Sequence, residues 1–494
     1  MPLIEEVHRA LGSAVEVWTI GQEREGNAIL EKRHGLTLPM LDDSALRVSF
    51  SYQIEVVPTL IASDAEGRVL HRFEGFARKE WRSAVEKLAE LVGMAAPDLQ
   101  WQRYPELRVG CGSKSVEMGI ADRLAAEAEG SPLRARRIEI GSADDPFEFM
   151  FDQGMTDGLP VVPPTPVRVL RMLAGTRRDA HEVIGIIPPN MAPATVEKIA
   201  INAVMAGCKP EYLPVVIAAI EAVCTPEFNA HGVMSTTWGA TPVMVVNGPI
   251  RRRIAMNMGL MALGYGNRAN ATIGRAVKLV LRNLGGARPG EIERSTLGSS
   301  GKFTACFAEW EERSPWEPLH VERGFAANQS VVTIFGIESG SRQIADQTSR
   351  TARALGGSLG LGLQGCWHPK SYGVGDVLLV VSPEHADTLA REKWSKNQLR
   401  ERIQEVTLRP IRELIRDEES GEGLPADAVA PAQLDHRVSK FRRPEYINIV
   451  VAGGEAGKFS AMFGGWVSGP VGSIAVSRKI EEVVQNHGNT GSNR

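Results

Sequence analysis

The sequence contains few cysteines. Its 494 residues include five, namely Cys111, Cys208, Cys224, Cys306 and Cys366. An odd number of widely spaced cysteines argues against a disulfide framework and against a structural zinc knuckle, whose ligands lie close together in sequence. We therefore expect any cysteine chemistry to depend on single thiols.

Long apolar runs and a recognisable export signal are also lacking. The most apolar stretch, LPVVIAAIEAVC (213–224), is too short to cross a bilayer and contains Glu221. The N-terminus does not show the basic and then apolar plan of a signal peptide. We expect a cytoplasmic protein without a membrane partner.

An excess of charge of either sign is absent. The 56 lysines and arginines and the 59 aspartates and glutamates give a net charge of -3, and the basic residues are spread along the chain. A nucleic-acid partner is therefore disfavoured. The stretch VVAGGEAGKFS (450–460) has Ala452 and Phe459 where a phosphate-binding loop needs glycine and a hydroxyl residue, so we expect no nucleotide.

What is present predicts an α/β protein with more than one domain. Over residues 1–93, helical and strand-like patterns alternate, and two β-rich runs joined by SDAEGR (63–68) precede an amphipathic helix at 78–93. The stretch YQIEVVPTLIASDAEGRVLHRFEGF (52–76) resembles the thioredoxin-like fold. The resemblance implies a thioredoxin-like domain over residues 1–93, with a cis peptide bond before Pro58.

The first strand and the Cys-x-x-Cys motif of the thioredoxin-like family are missing from this sequence. Two explanations stay open: a domain that lost its redox site and kept a docking role, or a start codon assigned too far downstream. We favour the second, because residues 2–11 look like the remainder of the helix that carries the motif.

The rest of the chain is expected to form a linker at 94–105, a strand, loop and helix at 106–143, a large α/β domain at 144–480 and a flexible tail at 481–494. Strands are predicted at 242–248, 330–337, 376–382 and 446–454, and helices at 195–206, 211–224, 271–283, 342–355 and 396–415. Continuous apolar strands that alternate with helices are typical of sheets covered on both faces. No internal repeat is apparent.

A second resemblance is carried by four stretches: DGLPVVPPT (157–165), PPNMAPATVEKIAINAVMAGCKPEYLPVV (188–216), NRANATIGRAVKLVLRNLGGARPGE (267–291) and SPWEPLHVERGF (314–325). Through them, residues 105–480 resemble the UGSC family. That family is named for a motif of selenocysteine or cysteine, then Gly, Ser and Cys. The motif falls on Cys111, Gly112 and Ser113, with Lys114 in place of the final cysteine. This departure argues against a redox cycle that uses two thiols.

Cys111 lies in the loop VGCGSKS (109–115), between an apolar stretch and a predicted helix. A thiol at a helix start and near Lys114 would have its pKa lowered from about 8.5 towards neutral. We therefore predict Cys111 and Lys114 as catalytic residues and Ser113 as a substrate-binding residue. The alternatives are an ordinary buried turn and an anion-binding loop.

The loop SPWEPLHVERGF supplies two further catalytic candidates, Glu317 and His320, and a substrate-binding candidate, Arg323. Its prolines exclude a continuous helix, and loops that carry such residues are often sites. A solvated, salt-bridged surface is the alternative.

Upstream of that loop, Lys302, Cys306 and Glu309 would share one face if residues 301–312 were helical. Cys306, Glu309 and His320 are therefore a candidate set of metal ligands, and Lys302 is a candidate for substrate binding. The spacing matches no established metal motif.

Four other residues are candidates for substrate binding: Asp157, His231, Arg268 and Asn270. Asp157 precedes a glycine and a proline-stiffened loop, His231 has hydroxyl residues nearby, and Arg268 and Asn270 begin a predicted helix that suits an anion.

The leading hypothesis is a cytoplasmic enzyme that acts on a small anionic molecule through a single reactive thiol, with a thiol reductant protein as partner. Two alternatives are a metal-dependent lyase or hydrolase using the 231–323 region, and a ligand-binding or adaptor protein without catalysis. The cofactor is not identified, a transition metal belongs to the first alternative, and assembly into a homo-oligomer is expected.

Overall fold

The computed structural model describes residues 2–117, 120–128, 130–141, 144–338, 340–467 and 472–481. The chain divides into two compact units, residues 1–139 and 140–494, close to the predicted boundary after residue 143. Helices and strands occur in both units, which confirms the α/β class. The expected flexible tail, apart from residue 481, lies outside the described residues.

The first unit contains short strands and five helices among its described residues. The helices are α1 (Pro2–Leu11), α2 (Arg24–His34), α3 (Arg47–Ser51), α4 (Arg78–Leu91) and α5 (Ile120–Ala128). The strands are β1 (Thr19–Gly21), β2 (Met40–Asp42), β3 (Val56–Val57), β4 (Thr59–Ser63), β5 (Val69–Glu74), β6 (Phe76–Ala77), β7 (Leu107–Arg108) and β8 (Cys111–Gly112). They pair two by two: β1 with β2 in parallel, and β3 with β8, β4 with β5 and β6 with β7 antiparallel.

The core of the first unit lies where α1 meets α4. Leu3, Val7 and Leu11 recur every four residues and therefore form one face of α1, which packs with Trp81 of α4. Leu99 and Trp101 are buried in the same core, so residues 94–105 pack within this unit and are not the free linker that we expected.

Residues 106–139 also belong to the first unit. Strand β7 pairs with β6 and strand β8 pairs with β3, so the predicted strand, loop and helix continue this fold and do not form a separate segment. The peptide bond between Val57 and Pro58 is cis, as the resemblance to the thioredoxin-like fold implies.

The second unit is larger and carries the remaining elements. Its helices are α6 (Pro146–Asp152), α7 (Pro166–Leu173), α8 (Val196–Ala206), α9 (Leu213–Val223), α10 (Ala230–Ser235), α11 (Ile250–Arg253), α12 (Arg268–Asn283), α13 (Leu319–Glu322), α14 (Ala352–Gln364), α15 (Pro383–Arg391) and α16 (Lys396–Val406). Its strands are β9 (Val183–Ile187), β10 (Ala192–Thr195), β11 (Ala240–Asn247), β12 (Cys306–Ala308), β13 (Val331–Glu338), β14 (Arg342–Ala345), β15 (Val377–Val381), β16 (Arg409–Pro410), β17 (Arg437–Val438), β18 (Ile447–Val451), β19 (Phe459–Gly464) and β20 (Val476–Lys479).

Two four-stranded sheets organise the second unit. Their strand orders are β12-β11-β13-β20 and β18-β15-β19-β14. In each sheet the first two strands are parallel, and the third and fourth are antiparallel to their neighbours. The parallel pairs need helical crossovers, which α12 provides in the first sheet and α15 and α16 provide in the second.

The two sheets therefore repeat one topology, although the sequence shows no repeat. In each half a helix leads to a central strand, a crossover, a parallel strand and an antiparallel strand. The next strand in the chain then joins the other half: β14 follows β13 but pairs with β19, and β20 follows β19 but pairs with β13. The halves thus exchange their fourth strands.

Both faces of the second sheet are buried. Leu378 and Val380 of β15 contribute to a core that also contains Val243 and Phe335 of the first sheet. The alternate residues of β15 contribute to another core, which contains residues of α14, α15 and α16. Helices α9 and α12 contact the first sheet. The result is a four-layer arrangement of helices, sheet, sheet and helices.

Two predicted helices differ from the structure, as does the segment 301–312, whose candidate residues would share one face only if it were helical. Residues 342–355 contain strand β14 and only the first turn of α14, and the helix predicted at 396–415 ends at Val406, shortly before Pro410. Residues 301–312 contain strand β12 instead of a helix. In the part of the chain that is described, no helix has the length and apolar character needed to span a bilayer.

Candidate functional site

Cys111 lies in strand β8 and pairs with Val57 of strand β3. Cys111 is exposed, whereas Cys208, Cys306 and Cys366 are buried and Cys224 is partly buried. The strand approaches β3 closely because Gly110 has no side chain: a Cβ atom there would lie 2.7 Å from the Val57 carbonyl oxygen. At Gly112, in contrast, a Cβ atom would meet nothing within 4 Å.

The four other thiols are poor nucleophiles at neutral pH. Burial raises the pKa of Cys208 to about 12 and the pKa values of Cys224 and Cys366 to about 11. Burial also raises the pKa of Cys306 well above its usual range. Because the thiolate is the reactive form, Cys111 is the cysteine best placed to react.

The surroundings of Cys111 differ from those we predicted. Cys111 lies in a strand, and the residues after Ser113 form a single 3-10 turn in place of the start of a helix. The Ser113 hydroxyl is buried and accepts a hydrogen bond from Gln22 Nε2 at 2.7 Å. Lys114 forms an ion pair with Glu23, and that hydrogen-bonded contact lowers the pKa of Glu23. The expected helix dipole at Cys111 is therefore absent from the described residues.

In the second unit, polar side chains meet at the carboxyl ends of the parallel strands β11 and β12. Asn247 ends β11 and Glu309 follows β12, and both side chains are fully buried. The Asn247 Nδ2 atom donates to Glu309 Oε2 at 2.7 Å and to Glu311 Oε1 at 3.0 Å. Ligands of α/β sheets commonly bind at this end of parallel strands. We call Asn247, Arg251, Glu309, Glu311 and His320 the polar cluster.

Arg251 holds the cluster together. Its Nη2 atom lies 2.6 Å from Glu311 Oε2, and its Nη1 atom donates to the Glu309 carbonyl oxygen at 2.9 Å. Its Nε atom donates to the carbonyl oxygen of Gly248 at 2.9 Å. The guanidinium group thus neutralises Glu311 and fixes the loop that carries Glu309.

His320 is completely buried. Its Nε2 atom lies 3.4 Å from the Ala327 carbonyl oxygen, and its Nδ1 atom lies 3.9 Å from Glu311 Oε1. Burial lowers the pKa of His320, and the Glu311 carboxylate opposes this effect only in part. In the neutral tautomer that donates from Nε2 to this carbonyl oxygen, Nδ1 presents a lone pair.

One carboxyl oxygen of Glu309 accepts hydrogen bonds, and the other has no hydrogen-bond partner in the described structure. Its Oε2 atom accepts from Asn247 and, at 2.8 Å, from the backbone N–H of Leu319. Burial raises the pKa of Glu309, although the charge of Lys396 and these hydrogen bonds act in the opposite direction. Its Oε1 atom has no hydrogen-bond partner in the described structure, and neither have Asn247 Oδ1 and His320 Nδ1.

The sequence identified Glu309 and His320 but missed their partners. Glu317, which we paired with His320, is exposed, and Glu311 approaches the imidazole in its place. One signal for Asn247 was available, since it is a polar residue at the end of an apolar strand. Nothing local in sequence distinguishes Arg251 from the basic residues beside it.

The predicted metal site at Cys306, Glu309 and His320 is wrong. Cys306 and Glu309 are three residues apart along an extended segment, so their side chains point to opposite faces. A Cβ atom added to Gly274 of α12 would lie 3.2 Å from Cys306 Cβ, so the thiol lies on the helix side of β12. The described residues contain no group of three His, Cys, Asp or Glu side chains placed to hold a metal ion.

Three of the predicted substrate-binding residues have structural contacts near helix α12. Asp157 accepts two hydrogen bonds from Arg275, at 2.8 and 2.7 Å. Arg268 donates to the Gly207 carbonyl oxygen at 2.9 Å, and Asn270 binds backbone atoms of the 257–262 loop. The structure does not bring these three side chains together with the polar cluster.

The other three candidates lie elsewhere in the second unit. Lys302 pairs with Glu293 at 2.7 Å, and Arg323 donates to Ser477 Oγ at 2.7 Å. His231 is an exposed residue of α10. Their role in substrate binding stays a prediction.

Comparisons of the chain with protein-family models, curated proteins and solved structures find no match. The resemblances to the UGSC family and to the thioredoxin-like fold therefore stay predictions.

Proposed function

We propose that the protein is a cytoplasmic enzyme that acts on a small molecule through the thiol of Cys111. The observation that carries this proposal is the exposure of that one thiol, while the four others are wholly or partly buried and have raised pKa values. Five free thiols also suit a reducing compartment.

The proposed chemistry is thiol–disulfide exchange. The Cys111 thiolate attacks one sulfur of a substrate disulfide, the substrate S–S bond breaks, and the other half of the substrate leaves as a thiolate. The product is a mixed disulfide on Cys111. A second thiolate then attacks the substrate sulfur of this bond, so that Cys111 leaves as the restored thiolate and the bound half departs as a disulfide with the second thiol. A further molecule of the same thiol reduces that disulfide, which frees the bound half as a thiol and leaves the oxidised reductant.

The second thiol is proposed to come from another molecule, either a small thiol or a thiol reductant protein. All five cysteines lie in the described part of the chain, and among them only Cys111 is exposed. Lys114 occupies the position where a resolving cysteine would stand in the UGSC motif. We further propose that the first unit is a thioredoxin-like domain, which the β4–β5 hairpin followed by α4 supports.

The test is reaction of the folded protein with a chromogenic aromatic disulfide, which releases a coloured thiolate for each thiol that attacks it. We expect one equivalent per chain for the native protein and almost none for Cys111→Ser, because the other thiols are less accessible. Addition of excess glutathione should regenerate the thiol and allow repeated turnover.

Cys224→Ser is the matched control, because Cys224 is the most accessible of the remaining cysteines. It should release as much thiolate as the native protein. A native protein that does not react, or a Cys111→Ser variant that reacts and turns over normally, would exclude Cys111 as the reactive group.

A further inference from the structure

We propose that the polar cluster at the carboxyl ends of β11 and β12 binds a primary ammonium group, either the free ammonium ion or the amine end of a small molecule. This binding function is separate from the chemistry proposed for Cys111 and uses none of the same residues.

Three unpartnered acceptors carry the proposal. Asn247 Oδ1, Glu309 Oε1 and His320 Nδ1 belong to side chains with no exposed surface, and none has a hydrogen-bond partner in the described structure. All three side chains belong to one set of contacts, because Asn247 bridges Glu309 and Glu311, and Glu311 faces His320. Buried acceptors without donors are costly, so an occupant that donates hydrogen bonds is expected.

An ammonium group matches the number of acceptors when Glu309 is ionised. A primary ammonium has three N–H donors on its cationic nitrogen, one for each acceptor. A water molecule donates two hydrogen bonds and fills all three contacts only if Glu309 is protonated and donates to it. The acceptor count therefore suits an ammonium group with an ionised Glu309, or a water molecule with a protonated one.

Lys440 shows how this chain binds a buried primary ammonium. The side chain is fully buried, and its Nζ atom donates to the carbonyl oxygens of Cys366, His368 and Ser371 at 2.8, 2.8 and 2.6 Å. Three acceptors thus surround one nitrogen. The polar cluster has the same number of unpartnered atoms, namely Asn247 Oδ1, Glu309 Oε1 and His320 Nδ1.

The cations around the cluster pair with carboxylates other than Glu309. Arg251 pairs with Glu311 and Glu312, and Arg252 pairs with Glu312. Lys396, which is near Glu309, and Arg400 both pair with Glu322. No ion pair to Glu309 is found among the described residues, and an ionised carboxylate buried without a cation is unfavourable.

The other half of the second unit does not repeat this arrangement. Ser382 follows β15, and Ala452 and Gly453 follow β18, so the corresponding positions carry no carboxylate. Glu384 accepts from the Gly457 N–H at 2.9 Å, as Glu311 accepts from the Gly248 N–H at 2.7 Å. Glu384 is therefore a matched control for a glutamate at this edge of a sheet.

The test uses thermal unfolding of the full chain at constant ionic strength in four chloride salts: ammonium, methylammonium, potassium and tetramethylammonium. We expect a saturable rise in the melting temperature with ammonium, because a ligand that binds the folded state stabilises it. Potassium has a similar size but no donors, and tetramethylammonium has the charge but no N–H groups, so neither should have this effect. A rise with methylammonium shows that an amine end fits, whereas a rise with ammonium alone assigns the cluster to the free ion.

Glu309→Gln should weaken ammonium binding by about tenfold or more, because it removes a charge-assisted hydrogen bond. Glu384→Gln should bind as the native protein does. If Glu309→Gln does not fold, calorimetric titration of the native protein with ammonium chloride, against potassium chloride, decides the question. Equal effects of all four salts, no ammonium binding by calorimetry, or full binding by a folded Glu309→Gln variant would overturn the proposal and leave ordered water as the occupant.

Discussion

Glu5 is a buried carboxylate that ties α1 to the chain that follows α2. It accepts hydrogen bonds from the Thr37 N–H at 2.8 Å, the Leu38 N–H at 3.2 Å and Arg9 Nε at 2.8 Å. Burial by itself raises the pKa of Glu5, but these contacts and one from the Thr37 hydroxyl outweigh it and lower the pKa to about 2.

The stability of the first unit should therefore depend on Glu5 at acid pH. A lowered pKa in the folded state means that the contribution is complete above the ordinary value of 4.5 and is lost as the pH falls from 4.5 to about 2. Glu5→Gln should reduce the free energy of unfolding by about 2 kcal/mol at pH 7, and this difference should shrink through that window. Denaturant unfolding at a series of pH values measures it.

The exposed Glu90 of α4 provides the control for this measurement. Glu90→Gln should leave the stability within about 0.5 kcal/mol of the native value at every pH. A Glu5→Gln variant with the native pH profile would show that the carboxylate contacts do not stabilise the fold.

At the scale of single elements, helix α14 is unusual because it contains four glycines, at positions 356, 357, 360 and 362. Glycine costs about 1 kcal/mol relative to alanine inside a helix, so the helical pattern is weak in sequence. Gly360 lies close to α16: a Cβ atom there would lie 2.3 Å from Val406 Cγ2 and 3.2 Å from Ile403 Cα. The glycine permits the close approach of the two helices.

Two substitutions in α14 should therefore have opposite effects. Gly360→Ala should destabilise the second unit by about 1–3 kcal/mol, because it overfills the contact with α16. Gly357→Ala should stabilise it by up to about 1 kcal/mol, since the new Cβ atom would meet only the flexible end of Arg402, at 3.2 Å. Thermal unfolding of both variants compares them directly, and equal shifts would contradict the packing argument.

The difference between patterns set by local sequence and contacts set by distant residues explains which elements the sequence could predict. Strands β11, β13, β15 and β18 were predicted because they are buried on both faces and form continuous apolar runs. Helix α14 was misplaced because its glycines follow from contact with α16, which the local sequence does not record. Strand β12 has three residues, which is too short for a pattern to distinguish it from a helix.

The polar cluster was only half predictable for a related reason. Glu309 was a candidate because of its helical spacing from Lys302 and Cys306, although this segment is a strand, and His320 was a candidate because its proline-bounded loop also carries acidic side chains. Asn247 contacts Glu309 across 62 positions of sequence, and this contact exists only because β11 and β12 pair in parallel. The long-range pairing of strands is not visible in either stretch alone.

At the scale of the whole molecule, the exchange of β14 and β20 makes the two halves of the second unit depend on each other. Without its partner, each half lacks the fourth strand of its sheet and leaves exposed the apolar face that forms the core between the sheets. An open sheet edge and an uncovered apolar face both favour aggregation.

We therefore expect residues 140–350, which end after β14, and residues 351–481, which end after β20, to be unfolded or insoluble when each is produced alone, and to form a soluble complex when produced together. Circular dichroism and copurification measure the outcome, with the intact second unit as the control. A cooperative unfolding transition in either half alone would show that the exchanged strands are not required.

The position of β20 also sets the order in which the protein can fold during synthesis. The chain leaves the ribosome from its N-terminus, so the first unit can fold while the rest is still being translated. The sheet that contains β11 needs residues 476–479, which form the last strand in chain order among the described residues of the second unit. The second unit therefore reaches its final structure only after β20 has left the ribosome, and the apolar strands synthesised before it stay uncovered until then.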